Sequence, residues 1–306
     1  MKVAVLTGGV GGAKFVLGLQ HCAGIERLTA IVNTGDDFRH LGLHISPDID
    51  TLLYTLSGQS DAVQGWGRAG ERWAFMAALK ALGGPDWFNL GDGDLALHVW
   101  RSDQLRQGKT PSAITTEIAE CWGIGATILP MSDDPVATWL DTDEGSLAFQ
   151  NYFVERQCRP VVGKIRFEGA AGAKPAPGVV AAIEEADMVF IAPSNPYLSV
   201  DPLLAVRDIA TALRNTAAPV IAISPLVGGK AVKGPTTKLM SELGIDPDNR
   251  AIAAHYEGII DGMIHDAGDA GPASLPACAT ATLMSDLSDK IRVAQAACDF
   301  ARTLAG

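Results

Sequence analysis

A short apolar run, Val3 to Leu6, breaks into Thr7-Gly8-Gly9-Val10-Gly11-Gly12, after which residues 13–20 carry apolar side chains at helical spacing. Strand, glycine loop and helix in that order leave few folds open, because the helix must return the chain to a parallel neighbour by a crossover. Leu28 to Val32 is that neighbour, and it ends in the polar stretch Asn33-Thr34-Gly35-Asp36-Asp37. A βαβ unit with a right-handed crossover predicts an α/β fold: a Rossmann-like, open, mostly parallel sheet with helices on both faces. Further on, Asp187 to Ala192 and Pro219 to Ser224 hold continuous apolar runs, as strands covered on both faces do. Residues 203–213 between them read as a helix.

The middle of the chain has a different rhythm. Thr138-Trp139-Leu140, a turn over Asp141 to Gly145, and Ser146-Leu147-Ala148-Phe149 predict hairpin strands. Residues 137–168 are therefore expected as a smaller β-rich element inserted into a single α/β domain spanning 1–306. Residues 169–178, rich in Ala, Gly and Pro, read as a loop.

Charge narrows the partners. Asp and Glu number 35 against 24 Lys and Arg, a formal charge of -11 with no basic run to offset it, which argues against a nucleic-acid partner. No apolar stretch approaches the ~18 residues of a membrane span. Five cysteines without C-x-x-C pairing and an opening unlike a signal peptide fit a cytoplasmic protein. A homodimer is the expected assembly, as the commonest one. An acidic chain can still hold a phosphate, through backbone amides, a helix N-terminus, a few lysines or a metal bridged by carboxylates.

Gly8, Gly9, Gly11 and Gly12 lie where amides can approach a phosphate and a helix dipole favours an anion. The run is no Walker A loop, since Ala13 stands in place of its second glycine and Phe15 follows Lys14; it also lacks the third glycine of the dinucleotide fingerprint. A plain strand-to-helix turn is the competing account. Asp36 and Asp37, with Asp48 and Asp50 at the start of the next helix, place four carboxylates within fifteen residues. Ser46 reads as that helix's N-cap and Pro47 as its first residue. Attraction to the helix dipole accounts for Asp48 alone, whereas crowding of all four suggests a hard cation such as Mg2+ beside substrate phosphates. His40 and His44 read as loop histidines. Trp66, between Gly65 and Gly67, offers a stacking surface or ordinary packing in equal measure. Ser194 and Asn195 follow one buried strand; Ser224, Gly228 and Lys230 follow the next. Both loops are expected at the carboxyl edge of the sheet.

In order and spacing, these segments, with Leu129-Pro130-Met131-Ser132-Asp133-Asp134, resemble the 2-phospho-L-lactate transferases, the CofD family, over nearly the whole chain. The resemblance implies Mg2+-dependent transfer of a phosphorylated three-carbon acid, such as 2-phospholactate or enolpyruvyl phosphate, from its guanosine diphosphate conjugate to the deazaflavin Fo. GMP would leave and the coenzyme F-420 precursor form. It further implies Asp50 and Asp37 as the foremost metal or hydroxyl-activating carboxylates, with Asp36 and Asp48 next. Asn33 and the loops at Ser194-Asn195 and Ser224 to Lys230 would contact the donor, and Trp66 would border the deazaflavin. Where the family commonly reads Gly-Asp-Arg-Asp, this chain has Gly91-Asp92-Gly93-Asp94, which leaves the three-carbon acid open. A related family of UDP-sugar-binding regulators shares the glycine loop and is the alternative; it resembles the chain less between Ser46 and Gly67.

Overall fold

The computed structural model describes residues 1–61 and 67–305. β1 (Lys2–Thr7) runs into α1 (Gly9–Gln20), which returns the chain to β2 (Arg27–Val32). A hairpin of β3 (Phe38–His40) and β4 (Leu43–Ile45) follows, then α2 (Pro47–Leu56), α3 (Ala74–Ala81), α4 (Asp92–Arg106), α5 (Pro111–Cys121) and β5 (Thr127–Pro130). The insert comprises β6 (Ala137–Thr142), β7 (Gly145–Ala148) and β8 (Val162–Glu168). Beyond it come α6 (Val179–Glu184), β9 (Met188–Ile191), α7 (Asp201–Ala205), α8 (Arg207–Asn215) and β10 (Val220–Ile223). The chain ends through β11 (Leu226–Val227), β12 (Lys230–Ala231), α9 (Thr236–Glu242), α10 (Asn249–His255), β13 (Gly262–Asp266), β14 (Ala277–Thr280) and α11 (Leu287–Ala305).

Seven strands form one sheet in the order β14-β13-β10-β9-β1-β2-β5, every neighbouring pair parallel. The chain builds outward from β1 to β2 and β5 on one side, then from β9 to β14 on the other. The strand order therefore reverses between β1 and β9, and the loops after β1, β2, β9 and β10 all leave the same edge. Such a switch point opens a crevice in doubly wound sheets.

Alternation along β1 sorts the two cores. Val3 and Val5 face a layer with Phe15, Leu19, Ile49, Leu53 and Val293. Ala4 and Leu6 face the opposite layer, with Val179, Ile183 and Ile209. Phe15 meets Phe190 edge-on at 5.6 Å, and each buried side chain of this size contributes about 1.5–3 kcal/mol. The insert is an antiparallel sheet, β7-β6-β8. Leu140, Tyr152 and Val162 form its own small core, joined to the main body through Leu198 and Leu239. No helix among the described residues is long and apolar enough to cross a membrane.

Three details depart from the sequence reading. α1 begins at Gly9, inside the glycine run, because a carboxylate from another segment caps its first amide. The helix expected over 203–213 breaks at Val206 into α7 and α8. His40 and His44 sit in β3 and β4 rather than in loops.

Candidate active site

At the switch point the loops after β1 and β9 are tied together. The Gly8 N–H donates to Ser194 Oγ at 3.3 Å, and the Ser194 hydroxyl donates to the Gly8 carbonyl at 2.7 Å. Gly8 has no room for a side chain: a Cβ there would lie 2.5 Å from Asp48 Oδ2 and 2.8 Å from Ser199 Cβ. One residue on, Gly9 opens α1 at φ +65°, a conformation that favours glycine, and its N–H donates to Asp48 Oδ1 at 2.7 Å. Asp48 is thus the anion at the positive end of α1. Val10 and Gly11 carry the next amides without an intrahelical acceptor.

Asn33, fully buried, is the hub of the carboxylates. Its Nδ2 donates to Asp36 Oδ1 at 2.9 Å and to Asp48 Oδ2 at 3.0 Å, and its Oδ1 accepts from the Gly35 amide at 2.7 Å. Asp37 Oδ2 accepts from Ser46 Oγ at 2.8 Å and stands 3.1 Å from His44 Nε2, whereas Asp37 Oδ1 is buried without a partner. Ser46 does occupy the N-cap position before Pro47, but its hydroxyl is turned to Asp37 and leaves the helix amides alone.

This crowding shows in the protonation of the cluster. Burial, reinforced by the charges of Asp48 and Asp37, pushes Asp36 well above the usual carboxylate range. Burial raises Asp37 too, against the opposing pull of His44 and Ser46. Asp48 is pushed up to about 6, by burial first and by Asp37 and Asp50 after it, despite the bonds from Asn33 and Gly9.

Asp50 lies two residues, about half a turn, further into α2 and has a different partner. Both terminal nitrogens of Arg101 grip its carboxylate, Nη1 at 3.1 Å from Oδ2 and Nη2 on Oδ1. His98 Nδ1 is 3.7 Å from Asp50 Oδ2, and its Nε2 is 3.0 Å from Asp94 Oδ2. The Tyr54 hydroxyl completes the chain with a 2.5 Å bond to Asp94 Oδ1. Asp94, His98 and Arg101 are spaced four and three apart, which places them on one face of α4. Asp50 is committed to Arg101, so the carboxylates grouped around Asn33 are Asp36 and Asp48, with Asp37 alongside.

The remaining expected residues are divided. Asn195 Oδ1 accepts from the Tyr197 and Leu198 amides, while its buried Nδ2 has no partner. The Ser224 hydroxyl is consumed by the fold, donating to Asn249 Oδ1 at 2.6 Å and accepting from the Leu226 amide at 3.1 Å. Gly228 helps make the turn from β11 to β12 at φ +61°, with Lys230 exposed just beyond. Trp66 lies outside the described residues. Among those residues no three His, Cys, Asp or Glu side chains already converge on a single ion position.

Residues 3–297 match the family model of the 2-phospho-L-lactate transferase CofD. The chain belongs to this family. CofD proteins are transferases of coenzyme F-420 biosynthesis. The chain is similar to the phosphoenolpyruvate transferase of Mycobacterium sp. (strain KMS), 42% identical over 294 residues that cover 88% of this chain and 89% of that one. It is also similar to the phosphoenolpyruvate transferase of Streptomyces avermitilis, 40% identical over 310 residues and 97% of each chain. Its fold resembles a crystal structure of a upf0052 family protein from Bacillus halodurans, with a TM-score of 0.65 at 17% identity over 96% of this chain and 97% of that one.

Within the CofD frame, the departure at Gly93 has a structural counterpart. The Gly93 amide donates to Glu71 Oε2 at 2.7 Å, and a side chain at 93 would run into the Arg68 guanidinium, which bonds Glu71 Oε1 at 3.3 Å. Another arginine thus occupies the space beside the glycine. Arg101, His98 and Tyr54 escaped the sequence reading although the 94-98-101 spacing was there to be found. Gln150 and Thr138, which touch the acidic loop from the insert, carry no sequence signal at all.

Proposed function

We propose that this CofD chain transfers an enolpyruvyl phosphate group from its guanosine diphosphate conjugate to the terminal ribityl hydroxyl of Fo, releasing GMP. One observation carries the proposal: at the switch point, buried carboxylates stand directly against the amide end of α1. A diphosphate and a divalent cation need those two things together. Enolpyruvate is favoured over lactate because the relatives at 40–42% identity are phosphoenolpyruvate transferases.

The residues present fit Mg2+. The donor set is all oxygen, the partnerless Asp37 Oδ1 is buried beside it, and the raised carboxylates mark a surplus of negative charge that Arg101, bonded to Asp50, offsets in part. Asp36 and Asp48 would hold the ion, and one or two carboxylates suffice where substrate phosphates complete the shell. When bound, Mg2+ supplies charge neutralisation on the diphosphate. The Val10 and Gly11 amides and Asn195 Nδ2 bind the donor's phosphates, fixing the phosphorus for in-line attack. Asp37 Oδ1 accepts the proton of the attacking hydroxyl, and burial of Asp37 makes it a better base than a solvated carboxylate. Arg101 holds Asp50 still at the base of the cluster.

The test is incubation with Fo, the enolpyruvyl conjugate of guanosine diphosphate and Mg2+, with the deazaflavin product identified by mass. The expected product is Fo carrying an enolpyruvyl phosphate. Absence of product, together with stronger thermal stabilisation by UDP-sugars than by GDP, would overturn the proposal in favour of a nucleotide-sugar-binding role.

A further inference from the structure

Two consecutive carbonyls of the acidic loop are held by the insert. The Thr138 amide on β6 donates to the Gly35 carbonyl at 2.6 Å, and Gln150 Nε2, from the turn after β7, donates to the Asp36 carbonyl at 3.2 Å. Thr138 and Gln150 are both buried. The approach is close enough to require glycine at 35, where a Cβ would lie 2.8 Å from both Thr138 Oγ1 and Pro202 Cβ. From the opposite side Asn33 bonds the Gly35 amide and the Asp36 carboxylate. The backbone that aims Asp36 and Asp37 is therefore clamped between the sheet edge and the insert.

We infer that the insert is a positioning element for the acidic loop, acting through the Gln150 side chain and the Thr138 main chain. Gln150 touches no reacting group in this scheme. It fixes the Asp36 peptide, and with it the direction in which two adjacent carboxylates face the cleft. Without the Gln150 donor, the buried Asp36 carbonyl loses a bond that nothing else among the described residues replaces, and the loop samples other peptide orientations. The inference rests on the proposed role of this loop in cation binding and transfer.

Gln150→Leu removes the donor at similar volume, and Gln150→Glu puts an acceptor where the carbonyl needs a donor. Mn2+ binding in the presence of GDP, measured by calorimetry, should weaken by about 2- to 10-fold in Gln150→Leu, the equivalent of one net hydrogen bond, and further in Gln150→Glu. kcat should fall more than the KM for the donor. Hydrogen exchange should quicken in residues 33–40 while β1 and β9 stay protected, a pattern that general destabilisation would not give. Unchanged Mn2+ affinity and unchanged exchange in residues 33–40 for both variants would overturn the inference. If the wild type itself neither bound Mn2+ nor transferred, the functional reading would fail, and the exchange of residues 33–40 would still decide whether Gln150 positions the loop. Should Gln150→Glu not fold, the Gln150→Leu exchange pattern alone decides.

Discussion

Replacing Asp48 by Asn measures what it costs to bury a charged carboxylate in this cleft, burial first and the neighbouring carboxylates after it. The native carboxyl titrates at about 6 against an ordinary 3.8, so between those values the folded protein holds a proton that the unfolded chain has released. Stability gained from that proton is fully present below 3.8, is lost as pH rises through the window, and stays lost above about 6. At about 1.4 kcal/mol per unit, the separation of roughly two units amounts to roughly 3 kcal/mol of penalty at neutral pH. Asn carries none of it. Its carbonyl can still accept from Gly9, but its amide then faces Asn33 Nδ2, donor against donor, at a loss of about 1–3 kcal/mol. Near pH 7.5 the two effects offset each other. Near pH 4.5 mainly the loss remains. Relative to wild type, Asp48→Asn should therefore gain roughly 2 kcal/mol on going from about pH 4.5 to about 7.5. Urea unfolding of both proteins with a chelator present, at several pH values, reads this directly. A gap between the two curves that does not change with pH, or that widens against the variant as pH rises, would refute the assignment of Asp48 as a carboxylate raised by burial and by its neighbours.

Three further outcomes are expected. Asp50→Asn should lose about 3–5 kcal/mol by stranding the buried Arg101, and adding Arg101→Met should restore part of it; a double variant no more stable than the single would show that the pair is not coupled. Gly8→Ala should cost about 1–3 kcal/mol in unfolding free energy, since its Cβ meets Asp48 Oδ2 at 2.5 Å, and an unchanged melting temperature would mean that α2 yields freely. Mg2+ should raise the melting temperature more at about pH 7.5 than at about pH 5, because protons compete for Asp48, whose carboxyl is pushed up to about 6; equal shifts would move the ion away from Asp48.

The parallel sheet was legible because strands buried on both faces leave continuous apolar runs, and β9 and β10 fall where those runs lie. The carboxylates Asp36, Asp37 and Asp48 were legible as a group by their closeness in sequence. Which groups each carboxylate meets was not. Asp50 reads like its neighbours in sequence, yet its partner Arg101 lies 51 residues away, on α4, which packs against β4 and α5 and reaches α2 through its polar side chains. Ser46 was legible as a helix start, but its hydroxyl could either accept from an amide of its own helix or donate to a carboxylate, and only the fold brings Asp37 within 2.8 Å. The start of α1 was misplaced for the same reason: glycines weaken a helix on their own, and the Asp48 carboxylate that caps Gly9 comes from 39 residues downstream.

One fold can carry many chemistries, so the sheet by itself does not select one. In this protein the crevice at the sheet's edge is furnished by α2, α4 and the insert together with the loops after the strands. Each reaches the crevice through polar contacts: α2 brings Asp48 to Gly9, α4 brings Arg101 to Asp50, and the insert brings Gln150 to the Asp36 carbonyl. The two main cores pack on the sheet faces, whereas the insert keeps a small core of its own. Substitutions within the insert can therefore retune the Asp36–Asp37 loop with little strain on the sheet. The carboxylate cluster draws on both kinds of support: Ile49 and Leu53 anchor α2 in the apolar core, while hydrogen bonds from Asn33 and Gly9 to Asp48, from Asn33 to Asp36, from Ser46 to Asp37 and from Gln150 to the Asp36 carbonyl set the direction of the acidic groups.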